Sequence, residues 1–205
     1  MATTHTDLQQ ANTMNTYVKY ATLLFAGSFA LASCKNDDDP VAPAPIPVNE
    51  EELITTFTLH FHSVGGVEHK YFGFTDLDGD GGDPPVIEAD TLSVDSIYAV
   101  EIHMLNQSTT PTVDITAEIE SEGTAHQFFF QPAGANALVD YSDADANGLP
   151  IGLESIWTIG SAGNGTMTVT LRHGPDKTAS GVSTGDITNA GGETDIEVIF
   201  PLAIE

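Results

Sequence analysis

Residues Leu53 to Val64, LITTFTLHFHSV, alternate apolar and polar with period two. That spacing marks a β-strand with one buried face. Phe57, Leu59 and Phe61 share one face, and Thr58, His60 and His62 share the other. Gly65-Gly66 follows, a dipeptide suited to a tight hairpin turn, and Val67 to Phe74 resumes the run. With the two glycines as the turn, Val64 pairs with Val67, His62 with His69, Phe61 with Lys70, Leu59 with Phe72, and Phe57 with Phe74. The apolar sets then coincide, as a stable register requires.

Further strands are expected at 97–105, where Tyr98, Val100, Ile102 and Met104 alternate, and at 126–131, 137–141, 153–159 and 166–173. The last runs from Asp195 to Ile204, with Ile196, Val198, Phe200, Leu202 and Ile204 on one face. Only Asp114 to Glu122 has helical character, with Asp114 or Thr116 as cap and Gly123 as stop. Gly160 to Gly165 reads as a flexible hairpin loop. About 8–9 short strands with Gly/Asp/Asn turns predict an all-β antiparallel sandwich with one short helix.

Leu92 to Val100, LSVDSIYAV, resembles the tyrosine-corner stretch of fibronectin type III and immunoglobulin-like domains. There a Leu precedes the Tyr by six positions and a hydroxyl residue by two. The resemblance implies an Ig-like sandwich in which the Tyr98 ring joins the core and its hydroxyl bonds the backbone of the preceding turn.

The amino-terminal region has a different character. Tyr20 to Ala32 is an apolar run behind Lys19, too short to span a bilayer and sized as a signal-peptide core. It ends Leu31-Ala32-Ser33-Cys34, which resembles a lipobox, so residues 1–33 read as a signal peptide and Cys34 as the lipidated residue. Translation is expected to start at Met14, since 1–13 fits no region of such a signal. Lys35-Asn36-Asp37-Asp38-Asp39 resembles the surface-export tag of Bacteroidota lipoproteins. Pro40 to Pro47 alternates Pro with small residues, an extended spacer. The expected layout is therefore signal peptide to 33, lipidated tag and linker over 34–51, and a β-sandwich domain over 52–205.

GFTDLDGDGG, HQFFF, YSDADANGLPIGL and GGETDIEVIFPL give the domain a likeness to small flavobacterial lipoproteins. Such chains are sometimes labelled type 1 periplasmic-binding fold. That fold needs two α/β lobes, and this domain has too few residues and almost no helix.

Thirty acidic residues against five basic ones give a net charge of −25. This excludes nucleic acid as a partner, because phosphate contact needs a Lys/Arg surface. Cys34 is the sole cysteine, so no disulfide can form within the chain, and an extracellular domain must find rigidity elsewhere.

Two acidic loops have calcium-type spacing. Asp76, Asp78, Asp80 and Asp83 offer alternating carboxylates with Gly81 after the third. Asp143, Asp145, Asn147, Leu149 (through its carbonyl) and Glu154 satisfy the full D-x-[DN]-x-[DN]-G-x5-E pattern. Ca2+ is thus the expected cofactor at one or both. The hairpin register also gathers His60, His62 and His69 beside Tyr71, a set able to offer three nitrogens to a transition metal. No catalytic signature is present: there is no G-x-S-x-G elbow, P-loop or H-E-x-x-H.

The resulting expectation is a non-catalytic, calcium-stabilised lipoprotein of the outer membrane. It would be lipid-anchored, facing the cell exterior (or else the periplasm), with a protein or glycan partner. One alternative is a carbohydrate-binding accessory of a polysaccharide-uptake system, using Trp157, Tyr71 and Tyr141 as its platform. The other is a small metal-dependent enzyme using the histidine cluster.

Overall fold

A computed structural model describes residues 53–79 and 82–205. The signal peptide, Cys34, the acidic tag, the proline-rich linker and Asp80 lie outside the described residues.

The chain forms an antiparallel β-sandwich. One sheet runs β3 (Val86–Ala89), β2 (His69–Thr75), β1 (Thr56–Ser63), β4 (Ile97–Asn106), β8 (Glu154–Ile159) and β7 (Ala137–Tyr141), with the two-residue β5 (Val113–Asp114) also on β4. The other runs β10 (Glu193–Ile204), β9 (Gly163–His173) and β6 (His126–Ala133). Alternation decides which side chains lie between the sheets. Phe57, Leu59 and Phe61 of β1 and Tyr98, Val100, Ile102 and Met104 of β4 are buried, against Phe128, Phe200 and Leu202 of the second sheet. The Phe57 ring lies 6.0 Å from both Phe128 and Phe200, and Trp157 meets Phe61 edge-on at 5.0 Å.

The β1–β2 register is the expected one, including His62 opposite His69 and Phe57 opposite Phe74. The turn is looser than a two-residue hairpin. The Ser63 N–H donates to the Glu68 carbonyl, so Gly65 and Gly66 sit inside a four-residue loop with Val64 and Val67 exposed. Strand β3 pairs with β2 at the sheet edge and was not foreseen, since Val86 and Ile87 are solvent-exposed and carry no alternation.

Helix α1 (Ile115–Ser121) is capped by Asp114, whose carboxylate accepts the Ala117 N–H. Ile115 and Ile119 are buried, and the Thr116 hydroxyl exchanges hydrogen bonds with the Met104 backbone. Gly160 to Gly165 is not a hairpin loop. Strand β8 belongs to one sheet and β9 to the other, so the chain crosses between layers here and Gly163 to Gly165 pair with β10.

The Tyr98 hydroxyl accepts the Ser93 N–H at 3.1 Å, the backbone bond expected of a tyrosine corner, and donates to Glu68 at 2.6 Å. The ring is fully buried.

Segment 174–192 covers the outer face of β6. Phe129 points away from the main core and is buried with Val182 and Ala190 of that segment. Strand β6 is thus enclosed on both faces, which explains its unbroken apolar run.

Candidate functional site

Strand alternation that sends Phe57, Leu59 and Phe61 inward sends Thr58, His60 and His62 to the opposite face. Pairing with β2 sets His69 opposite His62 and Tyr71 opposite His60. Pairing with β4 sets Glu101 opposite His60 and His103 opposite Thr58. Four of the seven histidines therefore stand on the solvent side of three adjacent strands.

Their ring nitrogens converge. His62 Nε2 lies 3.0 Å from His60 Nδ1, and His60 Nε2 lies 3.2 Å from His69 Nδ1, each pair sharing one proton. One nitrogen from each of the three can be chosen so that all lie within 4.8 Å of one another, and His60, Glu101 and His103 meet the same condition. Tyr71 stacks on His60 at 4.4 Å with the rings 10° from parallel. His60 and His62 are half-buried and His69 is exposed. Desolvation, then the charges of His62 and His69, hold His60 below the ordinary imidazole value. A ring kept neutral at physiological pH is in the state that binds metal. Glu101 and His103 were absent from the expected site because they enter through the β1–β4 pairing, which no local pattern reveals.

A cleft of about 400 Å³ adjoins this face and shares Glu101 and His103 with it. Helix α1 and loop 143–154 form its other walls, adding Glu120, Asp143, Asp145 and Glu154.

The calcium-type loops use their oxygens differently from the expectation. The Asp143 carboxylate accepts N–H groups of Gly152, Leu153 and Glu154 at 2.7 to 3.1 Å. Asp145 Oδ1 accepts the N–H groups of Asn147 and Leu149, and Oδ2 accepts the Lys177 ammonium at 2.9 Å. The Leu149 carbonyl accepts the Asp145 N–H. Asp143, Asp145 and Glu154 are not among the converging groups of three ligating side chains found in the described residues. Burial pushes the Asp145 carboxyl up, and Lys177 with the two N–H groups more than reverses this, leaving it below the usual range. In the first loop, Asp76 accepts the Gly79 N–H and Asp78 the Asp83 N–H. These carboxylates close turns.

Gly152 is the pivot of the second loop. Its φ of +90° and the 2.9 Å approach of a would-be Cβ to Phe128 and Tyr141 exclude any side chain.

The aromatic platform does not form. Trp157 is fully buried in the core, and the Tyr141 hydroxyl is turned inward, donating to the Phe128 carbonyl at 2.6 Å. Of the three residues, only Tyr71 is exposed. Searches of protein-family models, curated proteins and solved structures find no significant match to this chain.

Proposed function

We propose that the chain is a lipid-anchored, surface-exposed protein of the outer membrane whose non-catalytic, Ig-like β-sandwich binds a divalent transition-metal ion. The ion is held by His60, His62 and His69. The observation that carries this reading is the convergence of three imidazoles on one rigid hairpin. Borderline ions such as Zn2+ and Cu2+ prefer imidazole nitrogen. Glu101 and His103 stand close enough to His60 to supply a further ligand or to orient a ring. The −25 net charge favours cation approach to the whole molecule. Anchoring rests on the Leu31-to-Cys34 lipobox, and exposure on the Lys35-to-Asp39 tag.

Calcium in loop 143–154 would have to displace Lys177 from Asp145, so the histidine face is the stronger cation site. The neighbouring acidic cleft favours a second reading, a metal-dependent hydrolase with Glu101 as the base beside the ion.

Calorimetric titration of the full chain with Zn2+ tests the metal claim. Wild-type protein should bind it, and His62→Ala should weaken binding at least about tenfold, since even an outer-shell partner of a metal ligand is worth about 10–100-fold in affinity. Equal binding by the variant refutes the site. Hydrolysis of an activated ester by the zinc-loaded protein, abolished in Glu101→Gln, would favour the second reading. Palmitate labelling lost in Cys34→Ser and cleavage by protease added to intact cells test the anchor and its exposure.

A further inference from the structure

A second histidine group lies in the interior, on the other sheet. His126 opens β6 and His173 closes β9, and the two are directly paired. The alternation that sends Phe128 and Phe130, and Val169 and Leu171, into the core brings His126 and His173 to the next inward positions. Asp195 joins them through an irregularity in β10. Thr194 pairs with Arg172 but Ile196 pairs with Leu171, so Asp195 is an extra residue in the strand. Bulges of this kind re-aim a side chain. One ligating atom each from His126, His173 and Asp195 lie within 4.8 Å of one another. The side chains of His126 and Asp195 are both 0% exposed.

Ionisable groups at core-facing positions are costly to bury, and a cation shared by the three would offset part of that cost. The geometry fits an ion. His126 Nδ1 lies 3.2 Å from the Glu122 carbonyl, which can only accept, so that nitrogen carries the proton and Nε2 is the coordinating one. His126 Nε2 and Asp195 Oδ2 are 3.7 Å apart. That is long for a direct hydrogen bond. Two ligands each about 2.1 Å from a tetrahedral ion span about 3.4 Å, close to this separation. His173 Nδ1 is buried without a hydrogen-bond partner, although the residue as a whole is only partly buried.

We propose that His126, His173 and Asp195 form a structural site for a divalent first-row transition ion. The site is independent of the histidine face on the other sheet. His173 and Asp195 flank the segment 174–192 that covers β6, so the ion ties both ends of that cover to the start of β6. In a domain without a disulfide, this is a means of rigidity.

The test uses the full chain carrying His60→Ala, His62→Ala and His69→Ala, which removes the exposed cluster without touching the core. After chelation and dialysis it is titrated with Co2+ and with Zn2+. The expected result is one equivalent bound, visible Co2+ absorption of a low-coordinate nitrogen/oxygen site, and a higher melting temperature with Zn2+. Proteolytic cleavage within 174–192 should slow about tenfold at Zn2+ near ten times its Kd. Adding His173→Asn should abolish all four. If that variant does not fold, the triple variant alone decides. A folded triple variant that binds no ion and gains no thermal stability overturns the site. A wild-type chain that loses all its zinc in the triple variant keeps the face and refutes the buried site. The reverse outcome keeps the buried site and refutes the face.

Discussion

The ammonium of Lys177 and the carboxylate of Asp145 meet at 2.9 Å, with side chains only 3% and 1% exposed. Lys177 also donates to the Gly123 carbonyl, so one cation joins the covering segment, the end of helix α1 and the 143–154 loop. Lys177→Met should cost about 3–5 kcal/mol in urea unfolding, because Asp145 is then buried without its counter-charge. Acid should act on the same pair. Asp145 titrates below 3.8 in the folded state. Its contribution is therefore present above that value and lost as pH falls through the lower folded pKa. Asp145→Asn should remove this part of the acid transition.

Tyr98→Phe should destabilise the domain by about 1–3 kcal/mol. The substitution keeps the buried ring and removes only the oxygen that accepts from Ser93 and donates to Glu68. Equilibrium unfolding of the two proteins measures the difference, and a change near zero would show that the corner contributes only its ring.

Tyr141 should ionise late. Burial pushes it up to about 12, although the Gln127 hydrogen bond opposes the shift. A raised acid stabilises the fold fully below the unfolded value near 10 and ceases to do so as pH rises through about 12. Phenolate absorbance should show a late-titrating component that is missing in Tyr141→Phe.

Zinc binding at the histidine face should be nearly flat above pH 7 and weaken as pH falls. His60 is held below 6.5, so little proton must be displaced near neutrality. Affinity measured across pH 5 to 8 should fall as the imidazoles protonate. A rise in affinity on acidification would contradict imidazole ligation.

Much of the fold is legible in local pattern. The β1–β2 register follows from two alternating runs and the glycines between them, and the Asp114 cap from its place before an apolar helical face. Trp157 was legible too, since it alternates with Ser155 and Ile159, which are also buried. Reading it as an exposed platform ignored that period. What local pattern hides is non-local pairing. Lys177 reaches Asp145 across 32 positions, Glu101 reaches His60 only when β4 pairs with β1, and Asp195 reaches His126 only through a bulge. The D-x-D-x-N-G spacing correctly marks a tight acidic loop. Spacing cannot say whether its oxygens face an ion, their own N–H groups or a lysine from another segment.

The most direct measurement is nitrogen NMR of the histidine rings in the full chain during Zn2+ titration. The account predicts that ring nitrogens of His60, His62 and His69 shift together to metal-bound positions at one equivalence point. Zinc saturation that leaves these three rings unshifted would contradict it.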